Sequence, residues 1–460
     1  MASSLPTPFG HDLRKYFLFD SDYISLNHGS FGTYPVVVRD HLRKQQDEAE
    51  AQPDKYIRYT YPELLDRSRA AVAEVLSVSV NECVFVQNAT SGVNTVLRNL
   101  VYTPADVIIY FDTIYGACKK TILSICETTP ATCRKVDYQF MVDSHQDIVQ
   151  KFKDLVNMIK KEGLVPKVAI FDTIVSLPGV RFPFETLVKM CKDEGVLSLV
   201  DGAHGIGHIP LDLKQLDADF FTSNCHKWLF TPRGCAVLHV PVRNQALIRT
   251  TYPTSPGFNP FENSNVPNPH LALTPGKTQF ETLFEFIATA DSSPYTCVPS
   301  ALAFRRDVCG GEDNILQYIQ YIVAQGTDAV ASMLGTEVMA TDASSSVDEL
   351  RNCALANVRL PLSIGTAADA DVAAEDVDEI CNWMQKTMAD KFHTFLPIFF
   401  YGGHLWARFS GQVYLEGSDF EWAGTLLRGL CKVIKSDKMR SFEALDIEEL
   451  RQLVSKAGMN

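Results

Sequence analysis

Residues 196–234 read VLSLVDGAHGIGHIPLDLKQLDADFFTSNCHKWLFTPRG. Val196 to Val200 is a short apolar, β-branched run, the pattern of a strand buried on both faces of a parallel sheet. It delivers Asp201 at its C-terminal end, where open α/β sheets hold their ligands. A second run, Ala218 to Thr222, reads as another strand and is followed at once by Ser223, Asn224, Cys225, His226 and Lys227. The two strand ends would then offer a carboxylate and an amine to one crevice. Taken alone, the pair is more often a strand-end aspartate and a surface lysine, so the surrounding chain has to decide.

Upstream, the pattern of a buried strand followed by a helix or a polar turn repeats. Phe184 to Glu194 has helical spacing and ends at Gly195, a residue suited to a left-handed helix cap. Val168 to Phe171 reads as a strand leading into Asp172 and then Ser176-Leu177-Pro178-Gly179. Val107 to Phe111 reads as a strand leading into Asp112 to Gly116, with Tyr115 in the turn. Cys83 to Val86 leads into Asn88-Ala89-Thr90-Ser91-Gly92 and a helix to about Leu100. A helix N-terminus of this kind binds phosphate through its free N–H groups, and capping by Asn88 or Thr90 is compatible with that. The run Gly116 to Thr121 lacks the glycine and Gly-Lys-Ser/Thr spacing of a nucleotide loop. The alternation argues for an α/β fold with a parallel sheet.

At the N-terminal side, Tyr23 to Leu26 reads as a short strand entering Asn27-His28-Gly29-Ser30-Phe31-Gly32, where two glycines let backbone approach a ligand. Val36 to Ala51 reads as a charged, exposed helix, and Pro62 to Leu76 as an amphipathic one. Tyr252 to Lys277 holds six prolines and cannot sustain a helix or central strand, which makes it a long functional loop. Helical segments follow to about Gly335. Asn357 to Leu362, a helix near Glu375 to Ala389, and Phe399 to Ser410 form a smaller α+β unit, and Asp446 to Lys456 reads as a closing helix.

The whole chain narrows the options further. Its 460 residues leave room for two or three domains with a sizeable core. The net charge of −13 opposes binding to nucleic acid or an anionic membrane. The absence of an apolar run near membrane-spanning length, and of a basic and apolar leader in MASSLPTPFG, points to the cytoplasm. The 12 cysteines contain no Cys-x-x-Cys pair and read as reduced, buried thiols. His204 and His208 are four apart, but the glycines between them and the lack of a third ligand argue against a metal, and none is expected.

A lysine and a strand-end carboxylate are what pyridoxal phosphate chemistry requires. The amine joins the cofactor aldehyde, and the carboxylate keeps the pyridine nitrogen protonated so that the ring can take up the electrons of a substrate carbanion. The segment from Asp201 through His204 to His226-Lys227 and Pro232-Arg233-Gly234 resembles the class V aminotransferase branch of fold-type I pyridoxal phosphate enzymes. Asn27 to Gly32, Ser176 to Gly179 and Cys225-His226-Lys227-Trp228 resemble the isopenicillin N epimerase-like group within it, which includes the fungal hercynylcysteine sulfoxide lyases of ergothioneine biosynthesis. The resemblance runs from about Pro8 to the C-terminal region.

The resemblance implies a fold-type I architecture, a mostly parallel seven-stranded sheet in a large α/β domain at residues 36–300. A smaller α+β domain would span 301–460, joined by an N-terminal segment, 1–35, that borders the active site. Lys227, Asp201 and Tyr115 would be catalytic, with Tyr115 stacked on the pyridine ring and its hydroxyl near the substrate. Ala89, Thr90 and His226 would hold the cofactor phosphate. The family's serine three residues before the lysine is Asn224 here, with Ser223 one position earlier, so either could reach that phosphate. Ser176 stands where the wider family often has an asparagine facing the 3-hydroxyl, and His204 where it places a group near the phenolic oxygen. Thr289, preceded by Ala288 instead of glycine, would cross to the phosphate of a partner subunit, which implies a homodimer with shared sites. Arg408 would bind the α-carboxylate of an amino-acid substrate near Asn27 and His28, with an interior salt bridge as its alternative role.

The implied reaction is β-elimination from a cysteine S-conjugate or its sulfoxide, as from hercynylcysteine sulfoxide, yielding a sulfur product, pyruvate and ammonia. Epimerisation at Cα and a γ-substitution or ring closure of the fungal loline-pathway type share the same first steps. A noncatalytic scaffold would have no physical need for Asp201, His226, Lys227 and Arg408 together.

Overall fold

The computed structural model of the chain describes residues 8–254, 257–258, 276–340, 348–366 and 370–436. Seven strands form the central sheet: β1 (Cys83–Val86), β2 (Asp106–Phe111), β3 (Thr132–Val136), β4 (Val165–Asp172), β5 (Leu197–Asp201), β6 (Phe220–Ser223) and β7 (Ala236–His239). Their spatial order is β1-β7-β6-β5-β4-β2-β3. Only β7 runs antiparallel to its neighbours β1 and β6; the other pairs are parallel. The expected mostly parallel seven-stranded sheet of an α/β fold is therefore present.

The strands are apolar throughout because both faces are covered. On one face Ile108, Val168, Ile170, Leu199, Phe220 and Leu238 pack against helices α3 (Ala89–Asn99) and α4 (Gly116–Thr128). On the other, Ile109, Phe111, Ala169, Phe171, Val200 and Phe221 meet helices outside this pair, α2 (Tyr61–Val75), α5 (His145–Lys161) and α6 (Phe184–Glu194). Earlier in the chain, α1 spans Val36–Ala51. Gly195 ends α6 at φ 69°, as its type suggests. At Gly92 a Cβ would collide with the Thr222 hydroxyl, so the first turn of α3 can sit directly on the end of β6 only because that residue is glycine.

A second sheet of three antiparallel strands, in the order β8 (Leu355–Arg359), β10 (His404–Ser410), β9 (Ile398–Tyr401), lies with α7 (Glu312–Leu334), α8 (Val377–Phe392) and α9 (Gly417–Lys435). The segment read from Phe399 to Ser410 is two strands joined by Gly402 and Gly403, both at positive φ, as a two-residue hairpin of type I′ demands.

Tyr23 to Leu26 is not a strand. Ile24 makes one bridge to Thr394, and with no further ladder partner the apolar pattern has nothing to pair with. His28–Phe31 is a single helical turn in place of an open loop. Most of the loop expected at Tyr252 to Lys277, and all of the helix expected at Asp446 to Lys456, lie outside the described residues. All 12 cysteines are free thiols. Among the described residues no helix is long and apolar enough to cross a membrane.

Candidate active site

The C-terminal ends of β4, β5 and β6 converge. Asp201 closes β5 as the Cα partner of Thr222 on β6, and a single helical turn, Cys225–Trp228, carries Lys227 immediately beyond. Asp201 is buried, and burial raises its pKa, yet two donors support its charged form. The Ala203 N–H lies 3.0 Å from Oδ1 and the Cys118 thiol 3.2 Å from Oδ2. Cys118 belongs to the first turn of α4, so this contact ties that helix to Asp201. Tyr115 caps the same helix one turn earlier and is half-exposed.

Lys227 is held through its backbone and its amine. His28, buried against Trp228 and Tyr414, lies 2.5 Å from the Lys227 carbonyl through Nε2 and 3.0 Å from the Tyr414 hydroxyl through Nδ1. With both nitrogens engaged inside the protein, and its pKa lowered to about 4 chiefly by burial, His28 supports the lysine and has no ring atom left for a substrate. The Lys227 amine lies 3.1 Å from His204 Nε2. Burial, with Arg408 nearby, lowers its pKa to about 8, while Asp201 and Asp172 pull the other way. His208 Nδ1 lies 2.8 Å from the His204 carbonyl, and its Nε2 accepts the Ala354 N–H at 2.7 Å, so neither nitrogen of His208 is open to a metal.

At the other end of the crevice the first turn of α3 meets the residues after β6. The Ala89 N–H donates to Asn224 Oδ1 at 2.9 Å, and the Ser91 N–H to Asn88 Oδ1 at the same distance. Thr90 stands between them, partly exposed. The Ser223 hydroxyl is consumed inside the sheet, donating to the Gly202 carbonyl and accepting the Ile206 N–H at 3.0 Å. Of the two residues left open by the sequence, Asn224 is therefore the one at the helix terminus. His226 Nδ1 lies 3.0 Å from the Cys235 carbonyl, which leaves Nε2 as its remaining nitrogen. Ala288 and Ala290 line a cavity of about 380 Å³ with Thr90, Ser91 and Tyr252, and Thr289 between them is exposed on a bend.

Arg408 is a buried guanidinium without a carboxylate. It sits on β10 and donates to the Ser176 carbonyl at 2.6 Å, to Asn27 Oδ1 at 2.7 Å and to Ser30 Oγ at 2.8 Å; its Nε has no partner. Asn357, its register neighbour on β8, clamps the turn after Ser176 through both Gly179 backbone groups, at 3.0 and 3.1 Å. Ser176 thus serves Arg408 through its carbonyl. The interior salt bridge considered for Arg408 does not form: among the described residues no acid lies within 4.0 Å of it, and no base within 4.0 Å of Asp201.

These groups fit pyridoxal phosphate. A buried acid lacking a cation suits a pyridine N–H, an amine with a depressed pKa suits an aldehyde, and a helix terminus beside His226 suits a phosphate. The unpaired Nε of Arg408 is a further donor awaiting an anion. The sequence reading passed over three residues here. Asp172 ends β4 as Asp201 ends β5, a parallel that could have singled it out. Cys118 and Trp228 carried no local signal of their contacts.

The sequence model of the Aminotransferase class-V family matches residues 54–269. An L-cysteine desulfhydrase-like protein, lolT1, of Epichloe uncinata is 41% identical over 94% of this chain and 98% of its own length. The hercynylcysteine sulfoxide lyase of Schizosaccharomyces pombe is 30% identical over 92% of this chain and 98% of its own. The solved structure of a cystine C–S lyase, C-DES, in complex with its reaction product cysteine persulfide superposes with a TM-score of 0.69 at 18% identity, covering 88% of this chain and 97% of that one.

Proposed function

The chain belongs to the class V aminotransferase family and is a pyridoxal phosphate-dependent lyase, and on that premise we propose that it breaks the Cβ–S bond of a cysteine S-conjugate or its sulfoxide by β-elimination. The observation that carries the reading is the buried, acid-free guanidinium of Arg408, close enough to Lys227 to lower its pKa. That pairing suits an amino acid held by its carboxylate with its α-carbon toward an amine. The relatives' names, an L-cysteine desulfhydrase-like protein and a hercynylcysteine sulfoxide lyase, support sulfur as the leaving group.

Pyridoxal phosphate, when bound, supplies the electron sink that lets an amino acid lose its α-proton. The chain's residues do the rest. Arg408 would fix the carboxylate through its positive charge and guanidinium N–H groups. Lys227 Nζ, its pKa lowered to about 8, reaches its base form near neutrality far more readily than an ordinary lysine and can take the α-proton. Asp201 would hold a negative charge for the ring nitrogen. Thr90, Asn224 and His226 Nε2 would hold the phosphate at the α3 terminus. Tyr115 gives a proton to the departing sulfur, and the released 2-aminoacrylate is hydrolysed by water to pyruvate and ammonia.

In this reading the enzyme is a cytoplasmic homodimer in which Thr289 completes the partner's phosphate site, and residues 36–300 and 301–460 act as the large and small domains. A second reading is γ-substitution with ring closure, which shares its first steps with the elimination. The discriminating assay offers hercynylcysteine sulfoxide, simpler cysteine sulfoxides and S-alkylcysteines, and follows pyruvate, ammonia and the sulfur product together. Pyruvate with stoichiometric sulfur release is the expected result. An inverted or cyclised amino acid with no pyruvate from any S-conjugate would defeat the lyase reading.

A further inference from the structure

Trp228 follows Lys227 and is fully buried, its ring stacked on that of His208 with 3.7 Å between centroids and 21° between planes. Its Nε1–H points at His204 Nδ1, 3.2 Å away, while His204 Nε2 faces the Lys227 amine at 3.1 Å. An indole N–H can only donate, so His204 Nδ1 accepts. Burial, reinforced by the positive charges of Lys227 and Arg408, keeps His204 neutral, so its one ring proton must sit on Nε2. That proton lies toward Lys227 Nζ. An ammonium also only donates, which would set two donors against each other across 3.1 Å; an unprotonated amine, with its lone pair, completes the bond.

We propose that Trp228 is a positioning residue that fixes His204 as its Nε2–H tautomer and thereby favours the unprotonated form of Lys227 Nζ, whose lone pair accepts from His204. The inference deepens the reading of Lys227 as the cofactor lysine and rests on it. The indole is itself clamped. His208 donates from Nδ1 to the His204 carbonyl and accepts the Ala354 N–H at Nε2, so the ring stacked on Trp228 is pinned at both ends. His28 secures the backbone of the same lysine, donating from Nε2 to its carbonyl with Nδ1 3.0 Å from the Tyr414 hydroxyl. Ala354 and Tyr414 flank the three-stranded sheet, so that part of the chain reaches Lys227 through three histidines, each with a defined proton. The charges facing Lys227 are Arg408, which opposes protonation, and Asp201 and Asp172, which favour it; those facing His204 are Lys227, Arg408, His208 and His226.

The test uses the cofactor-free protein. Trace acetylation with acetic anhydride across the neutral and alkaline range, with peptide mass spectrometry, gives the reactivity of Lys227 relative to an exposed lysine. The wild-type midpoint should lie near 8. Trp228→Phe frees His204 Nδ1 to carry the proton, so Nε2 can accept from an ammonium. Its midpoint should rise by about one unit, with reactivity near neutrality falling about tenfold. An unchanged midpoint in a Trp228→Phe protein with native near-ultraviolet circular dichroism would overturn the proposal. Should that variant not fold, ring ¹⁵N spectra of histidine-labelled wild-type protein decide, with the His204 signals assigned by their loss in His204→Gln. An unprotonated Nδ1 and a protonated Nε2 are expected, and a proton on Nδ1 overturns the idea. Borohydride trapping of added pyridoxal phosphate, mapped in parallel, separates the two claims. A link to another lysine defeats the reading of Lys227 whatever the tautomer, whereas a link to Lys227 with the wrong tautomer defeats only the role of Trp228.

Discussion

Asp172 and Asp201 are Cα partners at the C-terminal ends of β4 and β5, and both carboxyl groups are buried. Two acids so placed cannot both ionise cheaply. Burial raises both pKa values, but Asp201 receives hydrogen bonds from Cys118 and Ala203, whereas the support for a charge on Asp172 comes only from Lys227, which acts on Asp201 as well, and from its own backbone. The shared negative charge therefore resides on Asp201, and Asp172 stays protonated beside it.

Asp172→Asn, an uncharged mimic of the protonated acid, should leave pyridoxal phosphate affinity close to wild type. Asp201→Asn removes a charged acceptor, worth about 1.5–3 kcal/mol, and should weaken binding roughly tenfold to a hundredfold. Titration followed by cofactor absorbance measures both. Equal losses in the two variants would mean that the charge is not localised as assigned.

Arg408→Ala leaves the carboxylate of an amino-acid substrate without its buried partner, a loss of about 2–5 kcal/mol in kcat/KM. Arg408→Lys should recover only part of it, because a lysine cannot reproduce three donors spread over Ser176, Asn27 and Ser30. Steady-state kinetics with one S-conjugate suffices, and an Arg408→Ala enzyme of undiminished kcat/KM would remove Arg408 from the substrate site.

In the ligand-free chain the His226 pKa is lowered to about 4, first by burial, against the opposing pull of the Cys235 carbonyl. A phosphate dianion at Nε2 favours the protonated ring and raises that pKa. Binding at neutral pH should then take up a proton, and affinity should fall as pH rises through the bound-state pKa. Calorimetry in buffers of different ionisation enthalpy reads the proton uptake, which should vanish in His226→Gln. Uptake that persists in that variant would assign the proton elsewhere.

Tyr115→Phe keeps an aromatic ring at the start of α4 and removes only the hydroxyl. As general acid, that hydroxyl is worth roughly a hundredfold or more in the rate of sulfur release. Rapid-mixing detection of the released thiol, with α-proton exchange measured alongside, should show release slowed and exchange maintained. Equal rates of release in both proteins would leave Tyr115 as a platform alone.

Thr289 is exposed on its bend in the single chain, as a residue reaching toward a second subunit would be. Sedimentation at working concentration should show no active monomer, and Thr289→Ala should weaken cofactor binding about fivefold, the worth of one neutral hydrogen bond. A fully active monomer would rule out shared sites.

Much of this was written in contiguous residues. The strand at Cys83–Val86, the helix at Phe184–Glu194 with its Gly195 cap, and Asp201 and Lys227 at neighbouring strand ends all follow from local periodicity and turn chemistry. Such signals survive without knowledge of the fold because they concern residues within a few positions of one another. The hairpin at Gly402-Gly403 is equally local, since paired glycines between two apolar runs signal a tight turn. What the three-dimensional structure alone decided is which polar group meets which. Arg408 is held by Asn27 and Ser30, 381 and 378 positions away, His28 supports the Lys227 backbone from 199 positions away, and Trp228 reaches His204 across two strand ends. A side chain's protonation and aim depend on the donors, acceptors and charges within a few ångströms, and chain folding, not sequence spacing, brings those together.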